Sequence, residues 1–141
     1  MAKLSIRIDL SDHGAVGPGK IRLLELIGES GSISAAGRAM NMSYRRAWML
    51  IDSLNRCFRT PVATMQPGGM RGGGAVLTEF GHDLIIRYRA IERAATKVSA
   101  PELAALDAAQ APRRAASSGA SRVAGNVARR RSSLLPRRTR D

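Results

Sequence analysis

The segment from residue 32 to residue 58 constrains the fold of this chain most strongly, because it combines two short helical patterns with a tight turn. It reads SISAAGRAMNMSYRRAWMLIDSLNRCF. Ser32 is the predicted N-cap of the first helix and Ser43 that of the second, with the turn at 41–43 between them. The second helix spaces its apolar residues at helical intervals, at Ala47, Leu50, Ile51, Leu54 and Phe58. The segment therefore predicts a helix-turn-helix.

The second helix opens with Tyr44, Arg45 and Arg46. Cations in a first turn face the positive end of the helix dipole, where a helix built only for stability would carry Asp or Glu. In helix-turn-helix proteins this end enters the major groove of DNA, where Arg reads guanine or holds a phosphate. Backbone N–H groups at Ser32 and Ser43 are further candidates for phosphate contacts. The alternative is an exposed polar face without a ligand.

The charge of the whole chain also favours a polyanionic partner. Its 23 Lys and Arg outnumber 11 Asp and Glu, which gives a net charge of +12, as is typical of nucleic-acid-binding proteins. Residues 101–141 hold nine Arg against three acids. Residues 100–141 are rich in Ala, Ser, Arg and Pro, and we expect a disordered Arg-rich tail there. The run ARRRSSLLPRRTR either clamps DNA phosphates without sequence preference or is solvated with no dedicated role.

The N-terminal region combines a strand pattern with a helix pattern. Residues 3–10 alternate strictly and predict a half-buried strand, with one face formed by Leu4, Ile6, Ile8 and Leu10. Residues 11–19 read as a turn-rich loop. A helix is predicted over residues 20–29, ended with the help of Gly28 and Gly31.

Two short strands are predicted after the helix-turn-helix, over residues 62–66 and 74–78. Between them lies PGGMRGGG, whose five glycines predict a mobile tip. A glycine-rich hairpin in this place is the usual layout of a winged helix. Arg71 in the tip is a candidate for a minor-groove or backbone contact, although it could be an ordinary surface Arg.

A last long helix is predicted over residues 79–98, capped by Thr78. Its apolar residues form a heptad seam, namely Leu84, Tyr88, Ile91, Ala95 and Val98. We expect the same helix of a second copy to cover this seam; the alternative is that the seam packs on its own subunit. The predicted fold is mainly α with a small β component. It is a winged helix-turn-helix over residues 1–99, with an N-terminal strand, a glycine-rich β-hairpin wing and a long C-terminal dimerisation helix.

Catalysis has little support in the sequence, and we expect no enzyme, no cofactor and no metal. His13 and His82 lack a cysteine or acid at metal-ligand spacing, although Asp83 adjoins His82. Residues 14–21, GAVGPGKI, have the spacing of a phosphate-binding loop. They place Ile21 where Ser or Thr would hold magnesium, so nucleotide binding is not expected.

The sequence also predicts the cellular compartment of the protein. Cys57 is the single cysteine, so no intrachain disulfide can form. The N-terminus lacks the apolar run of a signal peptide, and no apolar stretch approaches the length that spans a bilayer. We expect a cytoplasmic, nucleoid-associated protein with double-stranded DNA as its partner.

At these residues the chain resembles the N-terminal winged-helix domain of the molybdate-dependent transcription regulators (ModE type), which is related to the LysR-type domain. The matching segments are GKIRLLELIGESGSISAAGRAMNMSYRRAWMLIDSLN and GGMRGGGAVLTEFGHDLI, within residues 18–98. The resemblance implies a dimeric, sequence-specific DNA-binding protein on a palindromic promoter site. It also implies that the first strand and the last long helix help to build the dimer. Carried over, residues 43–46 start the recognition helix and residues 68–74 form the wing.

Full-length members of that family continue into molybdate-binding domains built from small β-barrels. Residues 99–141 are too few, too polar and too Arg-rich for such a domain, so direct molybdate binding by this chain is not expected. The leading hypothesis is a homodimeric transcription regulator. The second is an architectural protein that coats DNA through its basic tail. The third is a module whose winged helix binds a partner protein, and the Arg pair at a helix N-terminus counts against it.

Overall fold

The structure is a computed structural model that describes residues 1–66 and 74–113. Within these residues it contains four helices and two antiparallel two-stranded sheets. In chain order the elements are β1 (Ile8–Asp9), β2 (Ala15–Val16), α1 (Pro18–Ser30), α2 (Ile33–Ala39), α3 (Tyr44–Cys57), β3 (Ala63–Gln66), β4 (Gly74–Leu77) and α4 (Glu79–Ala108). The fold is therefore mainly α with a small β component, as predicted. The order of its elements is compatible with a winged-helix fold.

Helix α1 begins and ends at residues that suit helix termini. Pro18 stands in the first turn, where its missing N–H group would have had no helical partner. Gly31 ends the helix in the left-handed conformation (φ 69°), and its N–H donates to the Ile27 carbonyl at 2.8 Å. Gly28, which was predicted to help end the helix, lies inside it instead.

Helices α2 and α3 start at the two predicted caps. Ser32 Oγ accepts a hydrogen bond from the backbone N–H of Ala35, and Ser43 Oγ accepts one from the N–H of Arg46, both at 3.1 Å. Gly37 in α2 is buried, and a Cβ atom there would lie 3.2 Å from the Cβ of Ala47 in α3. Small residues therefore allow the two helices to pack closely. The inner face of α3 is buried at Ala47, Ile51 and Leu54, with Leu50 and Phe58 partly buried against the core.

The β3–β4 hairpin is attached to the helices on both sides. Ala63 pairs with Leu77 and Gln66 with Gly74, while an isolated bridge joins Gly74 to Ser32. On the α3 side, Asn55 Oδ1 accepts from the backbone N–H of Val62 at 2.8 Å, and its Nδ2 donates to the Ala63 carbonyl at 3.1 Å. The Asn55 side chain thus supplies hydrogen bonds at the start of β3 that a neighbouring strand would otherwise supply.

The predicted strand over residues 3–10 is confirmed only at Ile8–Asp9, which pairs with Ala15–Val16. The predicted loop at 11–19 therefore contains a short strand. A strand needs a hydrogen-bonding partner along its length, and this tight hairpin supplies one for two residues only. The alternation itself is preserved in burial, because the side chains that are half-buried are Leu4, Ile6, Ile8 and Leu10.

Helix α4 continues ten residues beyond the predicted end at residue 98 and passes through Pro101. The prediction of disorder from residue 100 onward is therefore wrong for residues 100–108. Pro101 removes one helical N–H donor, but the residues that follow it, ELAALDA, are mostly strong helix formers. The rest of the predicted tail, residues 114–141, lies outside the described residues.

The predicted dimerisation seam of α4 is divided between two environments. Tyr88 is buried and its hydroxyl donates to the Ile6 carbonyl at 2.7 Å, and Leu84 belongs to the core. For these two residues the expectation of an open seam is wrong, because the N-terminal segment and the helices of the same subunit cover them. Ile91 and Val98 remain exposed, at 44% and 80%, and Ala95 is half-buried.

An ion-pair network joins α4 to α1. Arg89 donates from Nη2 to Glu25 Oε1 at 2.6 Å and from Nε to Glu25 Oε2 at 3.2 Å. Its Nη1 donates to Glu92 Oε1 at 2.6 Å. These hydrogen bonds raise the pKa of the Arg89 guanidinium. The hydrogen bond from Arg89 lowers the pKa of Glu25, against the raising effect of burial. The bidentate pair sets the position of α4 on α1.

Glu25→Gln should lower the free energy of unfolding at neutral pH by about 1–2 kcal/mol, because the Arg89 hydrogen bonds lose their charged acceptor. The folded-state pKa of Glu25 lies below its ordinary value of 4.5. The carboxylate therefore stabilises the fold above that value, and this contribution is lost as the pH falls through the lowered pKa. Chemical denaturation at neutral pH and in acid, below the lowered pKa of Glu25, should show a deficit that disappears in acid. Glu29→Gln is the control, since Glu29 is exposed and 3.8 Å from Arg22. An equal deficit at both pH values would contradict the assignment.

Candidate nucleic-acid interface

The first turn of α3 presents its side chains from a firmly fixed backbone. The Ser43 cap sets where the helix starts, and buried Ala47 directs the inner face into the core. Tyr44, Arg45 and Arg46 are consequently held on the exposed side. The first N–H groups of a helix have no partner within it, so those of Tyr44 and Arg45 add donors at the same end. The structure thus brings the predicted α3 residues together at one helix terminus.

The two arginines at this terminus have no ion-pair partner among the described residues, a condition that they share with Arg38 and Arg93. None of the ion pairs among residues 1–66 and 74–113 involves Arg45 or Arg46. By contrast, Arg56 at the other end of α3 pairs with Asp52 at 2.9 Å, and Arg87 in α4 pairs with Asp83 at 2.8 Å. No acidic residue stands in the first turn of α3 to offset the helix dipole. The terminus therefore carries uncompensated positive charge that suits an anion.

A groove of about 720 Å³ runs along the outer side of α3 from this terminus. Its lining includes the two arginines together with Trp48 and Met49. Trp48 is 40% exposed and Met49 is 54% exposed. Sequence reasoning did not single out Met49. Its position four residues after Arg45, on the face opposite the buried residues, is the signal that could have identified it.

Ser32 at the start of α2 is largely occupied by contacts within the fold. Its hydroxyl caps the helix, and its own N–H donates to Ser30 Oγ at 3.2 Å. A phosphate at this terminus would therefore meet the N–H groups that follow Ser32, at Ile33 and Ser34, instead of that of Ser32. The bridge to Gly74 places the start of β4 beside the same residue.

The predicted wing contact at Arg71 lies outside the described residues, as does the whole segment 67–73. The described part of the hairpin has exposed side chains at Thr64, Met65, Gln66 and Val76. The start of β4 lies beside the N-terminus of α2, because the Ala75 N–H donates to the Gly31 carbonyl at 3.1 Å.

The described residues offer no grouping that supports nucleotide binding or metal binding. Lys20 of the loop-like segment 14–21 donates from Nζ to the Ala15 carbonyl at 2.9 Å, so it is directed back onto the fold. Within residues 1–66 and 74–113, no three His, Cys, Asp or Glu side chains are grouped as a metal site would require. In the same part of the chain, no helix combines the length and the apolar composition needed to cross a membrane.

Comparison with known proteins finds the chain similar to molybdenum-related proteins of bacteria. It is 46% identical over 83 residues to the molybdenum-pterin-binding protein MopB of Rhodobacter capsulatus, covering 59% of this chain and 31% of that protein. It is 37% identical over 92 residues to the molybdenum transport protein ModE of Azotobacter vinelandii, covering 65% and 33%. It is 36% identical over 87 residues to the DNA-binding transcriptional dual regulator ModE of Escherichia coli K12, covering 62% and 33%.

These matches lie in the N-terminal part of the chain, so the resemblance noted in the sequence is confirmed there. The chain spans about a third of the length of the curated relatives it matches. No family model matches the chain.

Proposed function

Because the N-terminal part of this chain is homologous to the ModE-type molybdenum regulators and their Mop relatives, we propose that it is a DNA-binding transcription regulator. We propose further that it binds a specific palindromic site as a homodimer. In this proposal the chain is a winged helix, with α3 as its recognition helix and the β3–β4 hairpin as its wing.

The observation that carries the proposal is the uncompensated pair of arginines at the N-terminus of α3. Arg45 and Arg46 are exposed and outside every ion pair of the described residues. A cation in this position destabilises its own helix, so a compensating anion is expected from a ligand. Guanine edges and phosphates in a major groove supply such acceptors in bidentate geometry. Tyr44 and the N–H groups after Ser43 complete the proposed contact.

The hairpin and the start of α2, which lie side by side, are proposed to contact the DNA next to α3. Arg71 in the wing would reach the minor groove or the flanking backbone. The N–H groups that follow Ser32 would meet a phosphate. The anchoring of β3 through Asn55 supports this arrangement, because it keeps the hairpin beside the helix-turn-helix.

The homodimer is proposed to form through the part of α4 that its own subunit leaves open. Ile91 and Val98 are exposed apolar residues one heptad apart, with half-buried Ala95 between them. A second α4 packed along this stripe would bury it. The two recognition helices would then reach successive major grooves about 34 Å apart.

The regulated genes are proposed to serve molybdenum handling, since the relatives carry that element in their names. Molybdate binding by this chain itself is not part of the proposal. The binding experiment is therefore run with and without molybdate, and a change in affinity would add an effector site.

Selection from a random duplex pool should enrich a palindrome whose half-sites are centred about 10 base pairs apart. Full-length protein is used at near-physiological salt, and fluorescence anisotropy then compares the enriched duplex with a shuffled one. We expect a preference above about a thousandfold, the range of specific regulators. Equal affinity for both duplexes would contradict a sequence-specific regulator.

An architectural DNA-binding protein is the second candidate, favoured by the density of Arg in residues 101–141. The substitutions Arg129→Gln, Arg130→Gln and Arg131→Gln keep the full chain and test it. For a specific regulator they should reduce the salt slope by up to about three and weaken both duplexes alike, so that the preference remains. Loss of most binding to every duplex would favour the architectural function instead.

A further inference from the structure

The outer side of α3 exposes apolar side chains where solvent contact alone would favour polar ones. Met49 is 54% and Trp48 40% exposed, and the core-facing positions of α3 are already filled by Ala47, Ile51 and Leu54. Neither side chain is therefore needed for the core. Both line the groove that Arg45 also lines. These two exposed apolar side chains, bordered by charged ones, offer apolar contact area to a partner.

Charge determines which partner suits this groove. Arg45 and Arg46 at one end are in no ion pair of the described residues, while Asp52 at the other end is paired with Arg56 at 2.9 Å. The uncompensated charge of the groove is therefore positive, which favours a polyanion over an apolar or acidic-and-apolar protein helix.

The major groove of DNA offers one apolar group on its base edges, the C5-methyl group of thymine. One helical turn separates Met49 from Arg45, a rise of about 6 Å, while base pairs are stacked about 3.4 Å apart. A side chain at Met49 therefore lies one to two base pairs from the position that Arg45 reaches. The unbranched, polarisable thioether can adapt to a methyl group at that place.

Resting on the proposed DNA-binding function, we propose that Met49 packs on the methyl group of a thymine one or two base pairs from the Arg45 contact. In this proposal Trp48 lines the groove next to Met49 and excludes water from the contact between Met49 and the methyl group. Met49 is thus a specificity-determining residue, and the recognised half-site contains an A·T pair at this fixed distance from the pair that Arg45 contacts.

The test uses the duplex enriched by selection, with each thymine replaced in turn by uracil. This replacement removes the methyl group and leaves every hydrogen-bonding group of the base edge in place. At one thymine in each half-site the affinity of the full-length protein should fall roughly fourfold, the equivalent of one buried methyl group. In Met49→Ala the same replacement should have no effect. Ile86→Ala, which truncates an exposed apolar residue of α4, should keep the full dependence on uracil.

The remaining outcomes overturn the proposal in distinguishable ways. If no uracil replacement lowers the affinity while the enriched duplex is still preferred, Met49 reads no methyl group although the regulator function stands. If the uracil effect survives in Met49→Ala and is lost in Trp48→Ala, the contact belongs to Trp48. If no duplex is enriched at all, the proposed function fails and this inference fails with it. Thermal unfolding of Met49→Ala checks that the exposed side chain contributes little to folding.

Discussion

Replacing Gly81 with alanine should destabilise the fold by about 3 kcal/mol or more, a large share of the total stability of a small domain. Gly81 is buried in the first turn of α4, and a Cβ atom there would overlap the Val62 carbonyl oxygen. That carbonyl cannot move aside easily, because it accepts the Thr78 N–H at 3.0 Å while the Val62 N–H donates to Asn55 at 2.8 Å. The methyl group would therefore push α4 away from the segment before β3.

The control is Gly19→Ala in α1, where a new Cβ atom would meet nothing within 4 Å. Alanine is the better helix former, so this variant should be unchanged or stabilised by about 0.5–1 kcal/mol. Chemical denaturation of both variants beside the parent chain measures the difference. If Gly81→Ala unfolds at the same denaturant concentration as the parent, the close packing of α4 on Val62 is wrong.

The double substitution of Arg45 and Arg46 by alanine should lower affinity for the enriched duplex by at least about a hundredfold. Each guanine-reading arginine is worth about 1–3 kcal/mol of discrimination, so the preference over the shuffled duplex should fall as well. Folding should not suffer. Removing two cations from the positive end of a helix should stabilise the chain by up to about 1 kcal/mol. A variant that is at least as stable as the parent and has lost specific binding would separate function from folding.

Arg56→Ala is the control for this experiment, because it removes one positive charge from the other end of the same helix. Arg56 lies at the far end of α3 and is paired with Asp52, so its loss should affect binding much less. Equal losses on the specific and the shuffled duplex after the Arg45 and Arg46 substitutions would show that these residues hold phosphates only. Full binding by the double variant would remove α3 from the proposed interface.

The local sequence was sufficient to predict those structural features whose physical cause lies within a few residues. The caps at Ser32 and Ser43 were predictable, because a Ser hydroxyl satisfies N–H groups only three residues away. The inner face of α3 followed from apolar spacing, and the burial alternation of residues 3–10 followed from the two-residue period of extended chain. The cationic terminus of α3, on which the proposed function depends, was visible for the same reason.

Contacts between distant residues could only be decided by the tertiary structure. Tyr88 and Leu84 matched the heptad pattern of a dimer seam, yet both are buried within their own subunit. The apolar period of a helix predicts which face is buried, but it does not predict which element covers that face. Asn55 gave no signal in the sequence, because its value as an anchor depends on β3 returning beside α3. The bidentate pair of Arg89 with Glu25 joins residues 64 positions apart. Such pairs depend on how the helices pack against each other, which the local sequence pattern does not predict.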